Sequence, residues 1–391
     1  MAFIPKIDEM IEAADDSGGG LTCGVEIEFL VPSVHLSTPD PDPDIEDQHL
    51  YRTDAVNAGS VKKEIFEKLL KTLTELCGER FRSMDDDKFL PPHRNVVDYS
   101  CWRLGRDITV AKGIDDTDPW ARITERPYQW TDCELTSPVM DVVDYEKEVE
   151  KICRALKTIR IHLNRSTAVH VHVGRGDQPF SLLTVMKFAT LYWFTEKAIM
   201  ALHHPSRREN SHCFLLTEFS DLAKRTQDEF DLDEPYLDDE GLELMDRHVP
   251  KAGLTELQRR QLRQLWGSAE MPEIAELMRR APEGVPLSKA AGNRGSVGFR
   301  RFQPEGKTGG NTQTFEWRHM ASTLDAQHIN QWIMVCMQFT DFCRLSTEAE
   351  FKKCLQEIID KGADYSASDL LMTLCPASAS TYTWTKINQR D

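Results

Sequence analysis

The 391-residue sequence predicts an α+β fold in which helices cover one face of a largely antiparallel β-sheet. Three observations support this fold class. Hydrophobic residues make up 40 % of the chain, which is typical of a globular protein with a packed core. Some segments alternate apolar and polar residues as strands do, whereas others repeat apolar residues with the period of a helix. The two kinds of segment interleave irregularly along the chain.

The strand signals are short alternating runs bounded by glycine, proline or polar loops. The first run follows the glycine-rich residues 17–20, and Pro138 closes the third. The residues predicted to form strands are 21–31, 102–110, 129–137, 167–174, 295–302 and 312–320.

The helix signals are apolar residues at helical spacing together with start and stop residues. Gly78 ends the first helix, and Asp325 can cap a later one. The most apolar stretch contains charged residues, among them Lys187 and Glu196, so we expect a buried core helix and not a membrane span. The residues predicted to form helices are 61–77, 145–163, 181–203, 325–343 and 348–359.

The chain is predicted to consist of a flexible N-terminal segment, residues 1–20, and one domain over residues 21–391. Residues 224–286 differ from the rest because they are acidic at first and then helical and charged. We interpret them as an acidic helical insertion, mostly exposed, that acts as a lid. A disordered insertion is the alternative.

The formal net charge of −17 bears on partners and location. Such an acidic surface repels nucleic-acid phosphates and anionic lipids, so we expect neither nucleic-acid nor membrane partners. It also repels ATP, and a site for an anionic substrate needs local arginines or metal ions. The ten cysteines contain no CxxC pair and the N-terminus has no apolar signal region, which predicts a reducing, cytoplasmic location.

Three predicted strands combine an apolar back with a front of metal- or phosphate-binding residue types. Side chains two positions apart on a strand point to the same face, about 7 Å apart. One such motif is common on solvated strands, but three together favour a metal or active site over a solvated face. These front residues, with a glutamate from a fourth segment, are Glu26, Glu28, His170, His172, Glu316, Arg318 and Glu134.

If these strands are neighbours, several carboxylates share one face, and only cations can neutralise them. Oxygen-rich sites suit Mg²⁺ or Mn²⁺, and both metals tolerate a histidine ligand. Two such ions can hold a transferring phosphoryl group while Arg318 stabilises charge on its oxygens. Residues 306–308 (GKT) resemble the end of a P-loop, but the earlier glycine that the motif requires is replaced by Arg301.

The motifs GVEIEF at 24–29, ELTSP at 134–138, HVHVG at 170–174 and TFEWRH at 314–319 occur in this order. Together they resemble the amidoligase family of the glutamine synthetase and glutamate–cysteine ligase superfamily of carboxylate–amine ligases. The resemblance runs from about residue 20 onward, with residues 224–286 outside it. It implies an open, curved sheet like that of the glutamine synthetase catalytic domain, with nucleotide and metals on the concave face and helices on the convex face.

The resemblance also implies roles for the matching residues. The implied metal ligands are Glu26, His170 and Glu316 near the nucleotide's terminal phosphates, and Glu28 and Glu134 near the acceptor substrate. The implied nucleotide-binding residues are His172, Arg207, Arg208 and Arg318, and the implied catalytic residues are Arg318, Glu316 and Glu28. The alternatives are a structural histidine at position 172, a solvated helix end at 207–208, and a turn cap for the motif-matching Asp107. A third carboxylate for the second metal ion is not identified.

The resemblance implies an ATP- and magnesium-dependent ligase that joins a small-molecule carboxylic acid to an amine through an acyl phosphate. Three other classes stay open: a kinase of the same fold, a metal-dependent hydrolase that acts without ATP, and a non-catalytic metal-binding protein. The sequence identifies neither the acid nor the amine, and it leaves the oligomeric state open.

Overall fold

The architecture is mixed α+β with a largely antiparallel, open sheet, as the sequence predicts. A computed structural model describes residues 19–79, 81–84, 99–107, 109–110, 128–210, 212–225, 239–279, 295–303 and 313–374. The strands are β1 (Thr22–His35), β2 (Tyr51–Thr53), β3 (Arg82–Ser83), β4 (Arg103–Gly105), β5 (Gln129–Thr136), β6 (Met140–Asp141), β7 (Ala168–Gly174), β8 (Val297–Gly298) and β9 (Thr314–Ala321). The more specific resemblance to glutamine synthetase stays a prediction.

Helices separate the strands along the chain. The α-helices are α1 (Ala58–Cys77), α2 (Tyr145–Lys157), α3 (Leu182–Ala201), α4 (Leu216–Phe219), α5 (Asp221–Lys224), α6 (Asp239–His248), α7 (Glu256–Trp266), α8 (Met271–Leu277), α9 (Ala326–Leu345), α10 (Glu348–Lys361) and α11 (Ala367–Leu374). Short 3₁₀ helices lie at Pro205–Arg207, Arg300–Phe302 and Gly362–Asp364.

The chain divides into two compact units. The N-terminal unit is Cys23–Val171 with Met320–Asn330, and the C-terminal unit is His172–His319 with Gln331–Asp391 and the residues up to Thr22. In the N-terminal unit the strand order is β3-β4-β5-β1-β7, and β2 and β6 also pair with β1; in the C-terminal unit the order is β7-β9-β8. The prediction of a single domain over residues 21–391 stays a prediction, and most of the predicted flexible segment, residues 1–18, lies outside the described residues.

The long strand β1 organises the N-terminal unit. Its alternate residues Val25, Ile27 and Phe29 are buried, as the apolar–polar alternation predicts. It pairs with β5 in antiparallel register, and this register sets Glu28 directly opposite Glu134. A slip by one residue would turn the apolar residues to the other face, so burial of one face specifies the register.

Helix α1 confirms the first helix prediction, including its end. The Asn57 side chain caps the start by accepting a hydrogen bond from the Ser60 amide at 2.9 Å. Gly78 adopts a left-handed conformation with φ of 67°, and its amide donates to the Thr74 carbonyl. The apolar stripe of this helix contacts β5 and α2.

Three predicted elements are shorter than expected because local backbone pairing ends them. Helix α2 ends at Lys157, since the His162 amide and carbonyl pair with Leu30 of β1 at 2.8 and 2.9 Å. The strand predicted at 102–110 is reduced to β4, and a turn at Asp107 follows it. The strand predicted at 295–302 is reduced to β8, after which the chain forms a 3₁₀ helix.

Helix α3 is the core of the C-terminal unit and is buried on nearly all sides, as predicted. Phe188 on this helix stacks on Phe315 of β9 with ring centroids 3.6 Å apart. It also contacts the rings of Trp317 and Phe339 edge-on. Phe315 and Trp317 form the apolar back of β9. In the described ranges, no helix has the length and apolar character needed to cross a membrane.

The described part of the predicted insertion, residues 239–279, is helical. It is not mostly exposed, and that expectation is wrong for this part. Leu262 and Leu265 of α7 are buried, and the Trp266 indole donates a hydrogen bond to Thr190 on α3 at 3.0 Å. Helix α7 is rich in charged residues, but it is amphipathic, and its apolar face packs on the apolar α3. The lid role stays a prediction.

We predict that Leu265→Ala destabilises the protein by about 2–5 kcal/mol, because it leaves a cavity where α7 packs. The matched control is Leu257→Ala on the same helix, where Leu257 is exposed and the loss should stay under about 1 kcal/mol. Urea unfolding of both variants measures the difference. Equally small losses would mean that α7 is not part of the packed core.

Candidate functional site

A cluster of carboxylates lies in the N-terminal unit. Three residues, Glu28, Asp107 and Glu134, each have one carboxylate oxygen in it, and these three oxygens lie within 4.8 Å of one another. Glu28 and Asp107 are buried, whereas Glu134 is half-buried. We call these three residues the carboxylate cluster. Its members come from β1, from the turn after β4, and from β5.

Backbone pairing explains how the carboxylate cluster is assembled. Gly105 of β4 lies opposite Glu134, so Asp107 follows two residues later, on the same side of the chain. The Asp107 carboxylate is oriented by two hydrogen bonds of 2.7 Å, from the Thr109 amide and hydroxyl. Asp107 is thus both the turn cap and the third member of the carboxylate cluster, and its role as a metal ligand stays a prediction. Its signal in the sequence was the resemblance of residues 102–107 to the family's strand before ELTSP.

His170 of β7 lies beside both glutamates of β1. Its Nδ1 is 3.0 Å from Glu26 Oε2, and its Nε2 is 3.6 Å from Glu28 Oε1. The imidazole is fully buried. The structure therefore brings together Glu26, Glu28 and His170, as the face pattern of the two strands predicts. Direct metal ligation by His170 stays a prediction.

The C-terminal unit holds a second group of predicted site residues. His172 and Glu316 offer a ring nitrogen and a carboxylate oxygen within 4.8 Å of each other. The His172 Nδ1 lies 3.3 Å from the Thr314 hydroxyl. Glu316 forms an ion pair with Arg318, two residues along β9. The Arg318 guanidinium is buried, and its Nε donates to the His212 carbonyl at 3.0 Å.

The two arginines after α3 differ in their surroundings. Arg207 is 1 % exposed, and its Nη2 donates to the Arg318 carbonyl at 2.8 Å. For Arg207 the alternative of a solvated helix end is therefore wrong, and this side chain supports the backbone of β9. Arg208 is exposed. Nucleotide binding by either residue stays a prediction.

A buried polar network lies behind β9, and sequence reasoning missed it. His319 Nε2 is 2.8 Å from the Tyr192 hydroxyl, which donates to Ser296 at 2.6 Å, and Ser296 donates to Glu196. Burial, together with the nearby Arg207 cation, lowers the pKa of His319 to about 3, so its imidazole is neutral. Burial raises the pKa of Glu196, although the hydrogen bonds it accepts oppose this. In the sequence, Glu196 is only one charge in an apolar helix.

The chain matches a known protein family. A family model described as "Putative amidoligase enzyme" matches residues 20–240, which is more than half of the 391 residues. The chain belongs to this amidoligase family. No curated protein matches it. The family name denotes enzymes that form amide bonds, so the chain is a member of a ligase family.

The family match covers only part of the candidate site of this amidoligase. The carboxylate cluster, both histidines and Arg207 lie within the matched residues. Strand β9, with Glu316 and Arg318, lies beyond residue 240. The assignment of these two residues therefore depends on the motif TFEWRH and on their contacts, not on the family match.

The donor chemistry of the carboxylate cluster fits a hard divalent cation. Three carboxylates this close repel one another, and a cation between them removes the repulsion. Mg²⁺ and Mn²⁺ prefer such oxygen ligands and keep further positions for water or substrate. His172 and Glu316 of the amidoligase supply mixed nitrogen and oxygen donors, which these metals also accept.

We predict that Asp107→Asn weakens Mn²⁺ binding by at least about tenfold, because an amide replaces one charged ligand of the carboxylate cluster. Calorimetric titration with Mn²⁺ alone measures the affinity. The control is Asp144→Asn, since Asp144 is exposed and its side chain makes no capping hydrogen bond to α2. Equal affinities of Asp107→Asn and wild type would exclude Asp107 as a ligand.

The neutral His319 predicts an acid-sensitive contribution to stability. Its pKa is about 3 in the folded protein against 6.5 usually, so the unfolded chain binds this proton first as the pH falls. The contribution is fully present above pH 6.5 and is lost progressively toward pH 3. Between pH 7 and pH 4.5, the loss of this contribution lowers the free energy of unfolding by roughly 2–3 kcal/mol.

Urea unfolding at pH 7 and at pH 4.5 checks this prediction in the wild type and in His319→Gln. The variant has no titrating group at this position, so its free energy of unfolding should fall by roughly 2–3 kcal/mol less than that of the wild type. Parallel pH dependence in the two proteins would show that His319 titrates normally.

Proposed function

We propose that this amidoligase is an ATP- and Mg²⁺-dependent ligase that joins a small-molecule carboxylic acid to an amine through an acyl phosphate. The observation that carries the proposal is the carboxylate cluster, in a chain that belongs to the amidoligase family. Carboxylate oxygens are the usual protein ligands of the cation that accompanies nucleotide phosphates.

The proposed reaction has two steps. First, an oxygen of the substrate carboxylate attacks the γ-phosphorus of ATP, and the bond from this phosphorus to the bridging oxygen breaks. The products are an acyl phosphate and ADP. Second, the nitrogen of the amine attacks the acyl carbon, the bond from carbon to the phosphate oxygen breaks, and the nitrogen releases a proton. One cycle converts acid, amine and ATP into amide, ADP and phosphate.

Arg318 is the proposed stabiliser of the transferring phosphoryl group. Its guanidinium is a buried cation held by Glu316 on one side and by the His212 carbonyl on the other. A cation fixed before the reaction stabilises developing charge without reorganising in the transition state. Arg208 and His172 are the proposed phosphate contacts, because Arg208 is exposed and His172 lies beside Glu316. Arg207 is proposed to support Arg318.

The proposed metal ligands follow the two groups of donors. Glu28, Asp107 and Glu134 are proposed to hold one ion, and Glu316 is proposed as a ligand of a second ion, next to the phosphate contact His172. Metal ligation by Glu26 and His170 stays a prediction. When bound, Mg²⁺ offsets the negative charge of the phosphate oxygens. No general base is assigned. A reducing cytoplasm is the proposed location, since the cysteines of the described ranges are free thiols.

The first test is calorimetric titration with ATP, with and without Mg²⁺. We expect binding that requires Mg²⁺ and that Glu316→Ala abolishes, because this change removes a ligand and the partner of Arg318. The control is Glu357→Ala, which removes an exposed glutamate of the same unit and should bind as the wild type does. Absence of binding in the presence of candidate acids would contradict the proposal.

Product analysis separates the three enzyme classes. A ligase releases free phosphate only when both an acid and an amine are present. A kinase keeps the phosphoryl group on an organic product, and a metal-dependent hydrolase acts without ATP. A non-catalytic metal-binding protein forms none of these products with any combination of acid, amine and ATP.

A further inference from the structure

The orientation of Arg318 depends on the segment that precedes α4. The carbonyl of His212 in this segment accepts the hydrogen bond from Arg318 Nε at 3.0 Å. The same segment is joined to the backbone of β9 through Ser296: the Ser296 amide donates to the Phe214 carbonyl at 2.7 Å, and the Arg318 amide donates to the Ser296 carbonyl at 2.9 Å. Glu316 holds one side of the guanidinium, and the position of its other side is set by what holds residues 212–217 in place.

The side chain that holds this segment is Glu196 of α3. Its Oε1 accepts from the Leu216 amide at 2.6 Å, and its Oε2 accepts from the Thr217 amide at 2.8 Å and hydroxyl at 2.6 Å. The Ser296 hydroxyl also donates to Oε1. Glu196 is thus a common acceptor for both pieces of backbone that flank Arg318.

The Tyr192 hydroxyl lies 2.6 Å from Ser296 and 3.3 Å from Glu196 Oε1, and the shorter contact sets the direction of a hydrogen-bond chain that ends at Glu196. Because Ser296 donates to Glu196, its oxygen accepts from Tyr192. The Tyr192 oxygen then accepts from His319 Nε2, which carries the proton of the neutral imidazole. Each donor in the chain requires the acceptor after it, and the chain ends at Glu196. The residues involved are buried, so water does not readily replace a lost partner.

We infer that Glu196 is a positioning residue for Arg318: its carboxylate anchors residues 212–217 and Ser296, and through them aims the guanidinium at the phosphoryl group. The inference rests on the proposed function of Arg318. A merely structural role, in which Glu196 ties α3 to the rest of the C-terminal unit, predicts loss of stability without an effect specific to Arg318.

The first test does not depend on a nucleotide. In protein labelled with ¹⁵N-arginine, the solvent exchange of the Arg318 Nε–H is measured by NMR, with the signal assigned from Arg318→Lys. We expect exchange to become at least about tenfold faster in Glu196→Gln, because Gln accepts at only one of its two terminal atoms. An unchanged exchange rate in Glu196→Gln would overturn the inference.

The matched control is Thr195→Val, the neighbouring buried position on α3. The Thr195 hydroxyl donates to the Leu191 carbonyl within the same helix, so this variant perturbs α3 without touching residues 212–217. The exchange rate of Arg318 should match the wild type. Should Glu196→Gln fail to fold, Thr217→Val takes its place under the same criteria, because it removes one donor to Glu196.

The second test is a double-mutant cycle on the affinity for MgATP. Glu196→Gln should weaken binding about tenfold in the wild type and have no further effect in Arg318→Lys, because residues that act through one group are not additive. Equal effects in both backgrounds would overturn the positioning role. If wild-type protein does not bind MgATP, the proposed function fails, and the exchange experiment alone decides the role of Glu196.

Discussion

The antiparallel register between β1 and β5 is the constraint on which the N-terminal unit depends. It buries Val25, Ile27 and Phe29 while setting Glu28 opposite Glu134. Burial of the apolar face is worth several kilocalories per mole, of which each large side chain contributes about 1.5–3 kcal/mol. This energy offsets the cost of keeping like charges together on the other face. The apolar back of the sheet therefore makes an acidic front possible.

In the C-terminal unit, the buried charge is positive and belongs to Arg318. Arg318 is buried, and a buried cation is tolerated only when its donors are matched by acceptors. Glu316 and the His212 carbonyl supply acceptors, while Arg207 binds the carbonyl of Arg318 itself. Behind this layer, Glu196 accepts from the backbone that carries the His212 carbonyl. Arg207, Arg318 and Glu196 are thus connected by hydrogen bonds to backbone groups.

The carboxylate cluster and the buried Arg318 have to be considered together with the net charge of the protein. A chain with a net charge of −17 repels an anionic nucleotide at long range. For the proposed binding of ATP, local features have to attract the anion, and the proposed ones are metal ions at the carboxylates and the fixed guanidinium of Arg318. This arrangement serves a ligase and a kinase equally in the transfer of the phosphoryl group. The two differ in whether an amine then attacks the phosphorylated product, which depends on the substrate pocket.

Residue types alone were enough to predict the fold class and the strand fronts, because a period of two is visible in each strand. The four ordered motifs were enough to predict the family. It predicted that Glu26 and Glu28 share a face with the histidines of β7, and the structure places His170 beside both. Four features followed only from the fold: Asp107 joins the carboxylate cluster, Arg207 is buried, α7 packs on α3, and Glu196 accepts hydrogen bonds from the backbone of residues 216 and 217. These contacts join residues far apart in the chain. Many of them are hydrogen bonds to backbone groups, which every residue has, so the sequence does not show which backbone group a side chain contacts.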